Sequence, residues 1–222
     1  MNIPIDKYPH PSVTTDVLLF SVLEGELNIL LVKRNAEPFK GSWALPGGFV
    51  HLAESLEDAA MRVLRDKGNV DNIYLEQLFT FGDPNRDPRS WVVTVTYLAL
   101  ADSKSWKLKS SETGMESKLF PVKSLPKLAF DHRKIIDYGL DRLRSKIGYS
   151  NIVLGLLPDN FTLSDLQKMH EIILGTKLDK RNFRKKILST GLLIPTGNKS
   201  DGKAHRPAAF YKFKNRKLVI TD

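Results

Sequence analysis

Apolar positions recur along this chain at strand spacing and at helix spacing in turn. Residues 13–21 (VTTDVLLFS) and 28–33 (NILLVK) are runs rich in Val, Leu and Ile separated by Glu24-Gly25-Glu26, which predicts two strands of a hairpin. A loop over 35–43 carrying Pro38 and Gly41 leads to a short strand at 44–50 interrupted by Gly47 and Gly48. Residues 55–67 read as a helix: Ser55 is a suitable N-cap with Asp58 three residues on, and Leu56, Ala59, Ala60, Val63 and Leu64 share one face. Strand patterns return at 75–81 and 91–100, the second alternating at Val93, Val95 and Tyr97 as a strand with one face on a core. A loop rich in Asp, Pro and Arg over 82–89 lies between them. A further strand is expected at 119–122 and a long helix at 132–147, with Ile135, Ile136, Leu140, Leu143 and Ile147 in one stripe. This mixture of strands and helices indicates the α/β class, a sandwich with helices on either side of a mixed sheet.

Residues 148–160 contain two glycines, a proline and little periodicity, so the domain junction is placed there, dividing the chain into 1–150 and 151–222. Beyond it Thr162 is positioned to cap a helix over 163–174 that stops at Gly175. Asp179 is positioned to cap a second over 180–189 that stops at Gly191. Strands at 192–194 and 209–213 then flank a loop over 195–207. The order is helix, short turn, helix, hairpin, with no repeat at solenoid spacing.

With 222 residues and 41% hydrophobic content, the chain can bury an ordinary core with a small second one beside it, or one large core. No run approaches the roughly 20 apolar residues of a membrane span, and the first 15 residues show no cationic start followed by an apolar stretch. A soluble, unprocessed chain is therefore expected. The absence of cysteine excludes disulfides, thiolate metal sites and thiol nucleophiles, and fits a cytoplasmic protein. The net charge of +9 is unevenly placed: 20 Lys+Arg face 19 Asp+Glu in residues 1–150, against 14 and 6 in residues 151–222. A polyanion partner for the last third, or a solvated basic tail, would produce this distribution.

From Gly48 onward the sequence resembles the Nudix box: Gly48, Glu54, Arg62, Leu64 and Val70 match its pattern, and Leu45-Pro46-Gly47-Gly48 is similar to the loop that enters it. The resemblance implies a loop–helix–loop whose helix carboxylates bind a divalent metal that bridges a pyrophosphate and activates water. Here Val63, Asp66 and Lys67 stand where the pattern has glutamates, and Asn69 replaces a glycine. Val63 cannot ligate a hard cation and Lys67 repels one, so no metal or other cofactor is required and no catalytic residue is assigned. Glu54, Glu57 and Asp66, with Asp58 near them, leave room for a weak Mg site. What survives is a nucleotide-site scaffold suited to sensing. Its candidate ligand-binding residues are Arg34, Gly47, Gly48, Phe49, Glu54, Arg62, Arg89, Trp91 and His132. Arg34 could equally be a surface residue, the glycines could simply make a turn, and Arg62 could orient the motif's own loop. Trp91 could stack on a base or pack in the core. Phe130-Asp131-His132 could reach a pocket, although capping of the next helix by Asp131 is the simpler role.

In the basic segment, Phe183 and Ile187 are spaced for a core face while Lys180, Arg181, Arg184, Lys185 and Lys186 cover the rest of the helix. The loop after it gathers Lys199, Lys203, His205 and Arg206 ahead of an aromatic strand. A helix–turn–helix followed by a basic hairpin is the pattern of a small winged helix-turn-helix domain on duplex DNA. The candidate DNA-contacting residues are Thr162, Lys180, Arg181, Asn182, Arg184, Lys185, Lys186, Lys203, His205 and Arg206. A solvated cationic face is the plainer alternative for the helix alone.

Both halves together resemble Nudix-related transcriptional regulators of the NrtR type, on residues 38–49 (PFKGSWALPGGF), 86–91 (RDPRSW), 129–132 (AFDH), 182–186 (NFRKK) and 206–211 (RPAAFY). The resemblance implies a Nudix-type α/β/α sandwich that senses an effector and dimerises, followed by the winged helix-turn-helix. It further implies a homodimer on a double-stranded DNA operator, repressing NAD-synthesis genes, with ADP-ribose or a related nucleotide as the effector. Sugars serve other members in that role. A working nucleoside-diphosphate hydrolase, or an architectural or RNA-binding protein on a Nudix-like dimerisation scaffold, are the competing readings.

Overall fold

The computed structural model describes residues 7–68, 73–103, 115–199, 207–215 and 217–220. Its strands in the first two thirds are β1 (Ser12–Leu23), β2 (Glu26–Lys33), β3 (Trp43–Ala44), β4 (Gly47–Phe49), β5 (Tyr74–Phe81), β6 (Val92–Ala101) and β7 (Ser117–Pro121). The β1–β2 turn places Glu24 and Gly25 at φ 52° and 80°, the left-handed backbone that a two-residue hairpin loop requires. β1 pairs antiparallel with β2 and parallel with β6, which pairs antiparallel with β5; β4 joins β1, and β3 and β7 join β2. The sheet is therefore mixed, with the parallel pair at its centre.

Helix α1 (Leu56–Gly68) lies on one face of this sheet. Ser55 caps it, its Oγ accepting the Asp58 amide at 3.1 Å. Ala60, Val63 and Leu64 pack there with Val17, Leu19, Leu30, Val95, Tyr97 and Ala99. Helix α2 (His132–Lys146) covers the other face, where Ile135, Ile136, Leu140 and Leu143 meet Leu18, Phe20, Ile29, Leu98 and Leu100. β6 is consequently buried on both faces rather than on one: its alternation separates residues facing α1 from residues facing α2, not core from solvent.

The segment 148–160, expected as a junction, is packed rather than extended. It holds a 3-10 helix (Ile152–Leu156) with Ile152, Val153 and Leu156 buried. A Cβ at Gly155 would come within 2.8 Å of the Leu100 Cβ, so only glycine lets this backbone lie on the sheet. After it come β8 (Phe161–Thr162), α3 (Leu163–Leu174), α4 (Lys180–Ser189), β9 (Leu193–Lys199) and β10 (Ala209–Phe213), with the sheet order β8-β10-β9. The two-residue β8 had no sequence signature, and β9 runs past Pro195 and Gly197 because β10 pairs along it. Phe161, Leu166, Met169 and Ile173 belong to the same core cluster as Leu18 and Leu100, so this core runs continuously from the first sheet into the C-terminal helices. The chain end returns to this seam, with Asn151 and Val219 exchanging hydrogen bonds, the Val219 amide donating to the Asn151 Oδ1 at 2.7 Å. No described helix is long and apolar enough to cross a membrane.

Candidate functional site

The ends of β1 and β2, the β4 strand and the loops 82–91 and 128–132 surround a cleft of about 270 Å³. Among its buried polar side chains is Asp16, the one carboxylate of β1. By the two-residue period of β1 it shares a face with Thr14 at the cleft. Asp16 accepts the Thr94 hydroxyl at 2.8 Å and faces the Arg86 guanidinium at 3.7 Å and the His132 Nε2 at 3.9 Å. Arg86, 4% exposed at its side chain, also donates to both oxygens of Asp131 at 2.9 and 3.1 Å. Asp131 precedes α2 but makes no side-chain cap, because Arg86 takes its carboxylate instead. Capping was the simpler expectation for Asp131, and this buried ion pair displaces it.

That pair brings Phe130 and His132 into the cleft. Phe130 adopts φ 52°, an unusual backbone for a bulky residue, and is held there by its neighbours. The Arg34 guanidinium stacks on its ring at 4.7 Å and that of Arg89 at 5.8 Å. The Leu45 amide donates to His132 Nδ1 at 2.9 Å, so the ring's proton is on Nε2, and burial holds the imidazole below its ordinary pKa and neutral. Arg34 is fixed by hydrogen bonds from its Nε to the Pro38 carbonyl at 2.7 Å and from its Nη2 to Ala36. Burial, and next the charge of Arg89, lower its pKa, so an incoming anion would relieve it. Arg89 forms a two-point pair with Asp87, whose pKa those hydrogen bonds depress, and its guanidinium also lies over Phe49 at 5.6 Å. Phe49 is 45% exposed, an open aromatic rim. Gly47 approaches so closely that a Cβ there would sit 1.9 Å from the Asp16 Oδ1. Lys67, near the end of α1, lines the cleft and donates its ammonium to the Gly47 carbonyl.

Of the nine candidate ligand residues, Arg34, Gly47, Gly48, Phe49, Arg89 and His132 line this cleft, and Glu54, Arg62 and Trp91 do not. Arg62 binds both Glu54 oxygens, at 2.7 and 2.8 Å, and the Phe49 carbonyl at 3.0 Å, fixing the loop before α1. That pair, with the His51 amide, holds the Glu54 carboxyl down to about 2. Both side chains are thus engaged in the motif's own loop. Trp91 is 45% exposed and belongs neither to the cleft nor to the described core. Asp16, Lys67, Arg86 and Asp87 line the cleft without having been assigned to it. Asp16 had a usable signal, a charge at a buried strand position, and Arg86 and Asp87 belong to the charged loop 86–91 that the sequence already marks.

The second surface is α4. Its N-cap is Asp179, which accepts the Asn182 amide at 2.8 Å, and it packs through half-buried Phe183 and Ile187. The Phe183 ring lies 5.0 Å from that of His170, a buried residue of α3 whose Nδ1 donates to the Leu166 carbonyl. Lys180, Arg181, Asn182, Lys185 and Lys186 are exposed. Arg184 is half-buried instead, with its Nε enclosed and unbonded among the described residues, because position 184 adjoins the inward stripe of 183 and 187. Thr162 is engaged in a capping box with Asp165 at the start of α3. Lys203, His205 and Arg206 lie outside the described residues, as do Asn69 and Val70 of the Nudix motif.

Comparison with known proteins identifies the domains. Residues 13–139 match the NUDIX domain family and residues 153–213 the NrtR DNA-binding winged helix domain. The ADPR responsive transcriptional repressor NtrR of Acinetobacter baylyi is 41% identical over 211 residues, covering 93% of this chain and 83% of that protein. The structure of Shewanella oneidensis NrtR complexed with a 27mer DNA superposes with a TM-score of 0.80 at 38% identity, covering 91% of this chain and 93% of that one. The NUDIX domain of the same protein complexed with ADP ribose gives a TM-score of 0.56 at 37% identity, over 64% of this chain and 94% of the domain. An ADP-ribose pyrophosphatase of Methanocaldococcus jannaschii is 39% identical over 132 residues, covering 59% of this chain and 75% of that enzyme.

Proposed function

Because the chain belongs to the Nudix family, and within it to the NrtR-type regulators that carry a winged helix, we propose that it is a DNA-binding transcriptional repressor relieved by ADP-ribose or a related nucleotide. One observation carries this reading: the Arg34–Phe130–Arg89 stack, with the Phe49 rim beside it, offers an aromatic platform flanked by cations, suited to a base or ribose joined to a diphosphate. The exposed cations of α4 lie on the same continuous core, where they would meet duplex DNA. Residues 1–150 would sense and dimerise, and residues 151–222 would bind an operator as part of a cytoplasmic homodimer, with NAD-synthesis genes as the targets. The bound nucleotide would be read rather than cleaved, since Val63 is sealed in the α1 core and Lys67 contributes an ammonium where a carboxylate would serve hydrolysis.

The test is DNA binding to the chain's own upstream region and to NAD-synthesis promoters at fixed salt, with and without ADP-ribose. Specific binding that ADP-ribose weakens is expected. Specific binding indifferent to ADP-ribose would remove the effector, and no specific binding would remove the regulator. The likeness to the Methanocaldococcus enzyme supports a second reading, ADP-ribose hydrolysis, which magnesium-dependent release of AMP would reveal.

A further inference from the structure

Nudix hydrolases work through divalent cations, and the residues of this cleft do not fit one. A hard cation seeks carbonyl and carboxylate oxygens. The carboxylates that line the cleft are Asp16 and Asp87, and Asp87 is held in its two-point pair with Arg89. The Lys67 ammonium already occupies the Gly47 carbonyl and lies in the field of Asp16 and of nearby Asp66. Glu54, which could have reached inward, is locked in its two-point pair with Arg62. Among the described residues no group of three or more His, Asp or Glu is arranged to hold a metal.

We propose that the Lys67 ammonium is the resident cation of the cleft: it takes the place of a divalent metal against the Gly47 carbonyl and donates to the ligand's diphosphate, so that recognition needs no metal. An ammonium has three donors. One is directed to Gly47, and the others remain for an anion entering between Arg34 and Arg89. Burial lowers the Lys67 pKa against the opposing pull of Asp16 and Asp66, so an arriving anion would favour its charged form further. The cleft thus carries fixed positive charge on a helix end rather than charge borrowed from solution, and its affinity is set by the chain alone. The diphosphate half of the inference rests on the nucleotide reading above; the cation half does not.

Two measurements on the full chain separate them. The first is calorimetric titration of ADP-ribose in magnesium chloride and in EDTA at matched ionic strength. Affinities agreeing within about twofold, with Lys67→Met weakening both by about tenfold or more, are expected. An affinity that rises with magnesium, or a Lys67→Met chain that binds as the parent does, overturns the proposal. The second is titration of Mn²⁺ alone, followed by the resonance of the free ion. Lys67→Glu, which returns a carboxylate beside Asp16 and Asp66, is expected to gain a Mn²⁺ site that the parent lacks. Equal Mn²⁺ binding by both overturns the proposal without using any nucleotide. Absence of ADP-ribose binding under both conditions, together with a Mn²⁺ site gained only by Lys67→Glu, discards the nucleotide reading and keeps the resident cation.

Discussion

Replacing Arg86 by Met removes the guanidinium that two carboxylates share and leaves the apolar bulk in place. Arg86 is 4% exposed at its side chain, Asp16 9% and Asp131 18%, so water cannot take over its role. Breaking a buried pair by removing one partner costs about 3–5 kcal/mol, because the remaining charge stays desolvated. That is a large share of a net stability of roughly 5–15 kcal/mol. For a chain of this size, with a urea dependence of roughly 2–3 kcal/mol per molar, the unfolding midpoint should fall by about 1–2.5 M at neutral pH. Because the cost lies in the carboxylates left without their partner, Asp131→Asn on the Arg86→Met background should recover part of it. Urea unfolding of both variants followed by tryptophan fluorescence measures this. A midpoint shift under about 0.3 M for Arg86→Met would mean that Asp16 and Asp131 find other partners and would refute this account.

Gly155→Ala forces a methyl group against the Leu100 Cβ and should destabilise by about 1–3 kcal/mol, visible as a lowered midpoint in thermal unfolding. Burial holds both His132 and His170 below their ordinary 6.5, so the unfolded chain takes up those protons first. Stability is therefore complete above about pH 6.5 and is lost as pH falls from there toward the folded values, by at most about 1.4 kcal/mol per pH unit per histidine. Urea midpoints that stay flat between about pH 7.5 and 5.5 would contradict this. Arg181→Ala on the exposed face of α4 should weaken operator and unrelated DNA alike and reduce the salt slope by about 0.9, whereas an unchanged slope would take Arg181 off the phosphates.

Local chemistry made the elements legible. The hairpin turn at Glu24-Gly25, the caps at Ser55, Thr162 and Asp179 and the glycine stop at Gly175 each act within a few residues, and each is formed. The cleft was half legible, because its glycines, Arg89 and His132 sit in recognisable motifs while its floor is assembled at long range. Arg86 meets Asp131 across 45 positions, and Leu45 meets His132 across 87. No periodicity encodes such pairs, so Asp131 looked like a helix cap and Lys67 only like a misplaced charge. The parallel pairing of β1 with β6, some 80 residues apart, likewise turned a strand expected to be half-exposed into one covered on both faces.

The seam around Gly155 bears on how such a chain can be recombined. Regulators built as beads on a string let their reader heads be exchanged at any point in the string. Here Ile152, Val153 and Leu156 lie on the first sheet, and Val219 returns to Asn151, so a cut at the apparent junction would split one core and leave both fragments with exposed apolar surface. A workable chimera must carry the 3-10 helix, the strand face it rests on and the chain's last residues as one part. The reader and its sensor therefore have to be moved together.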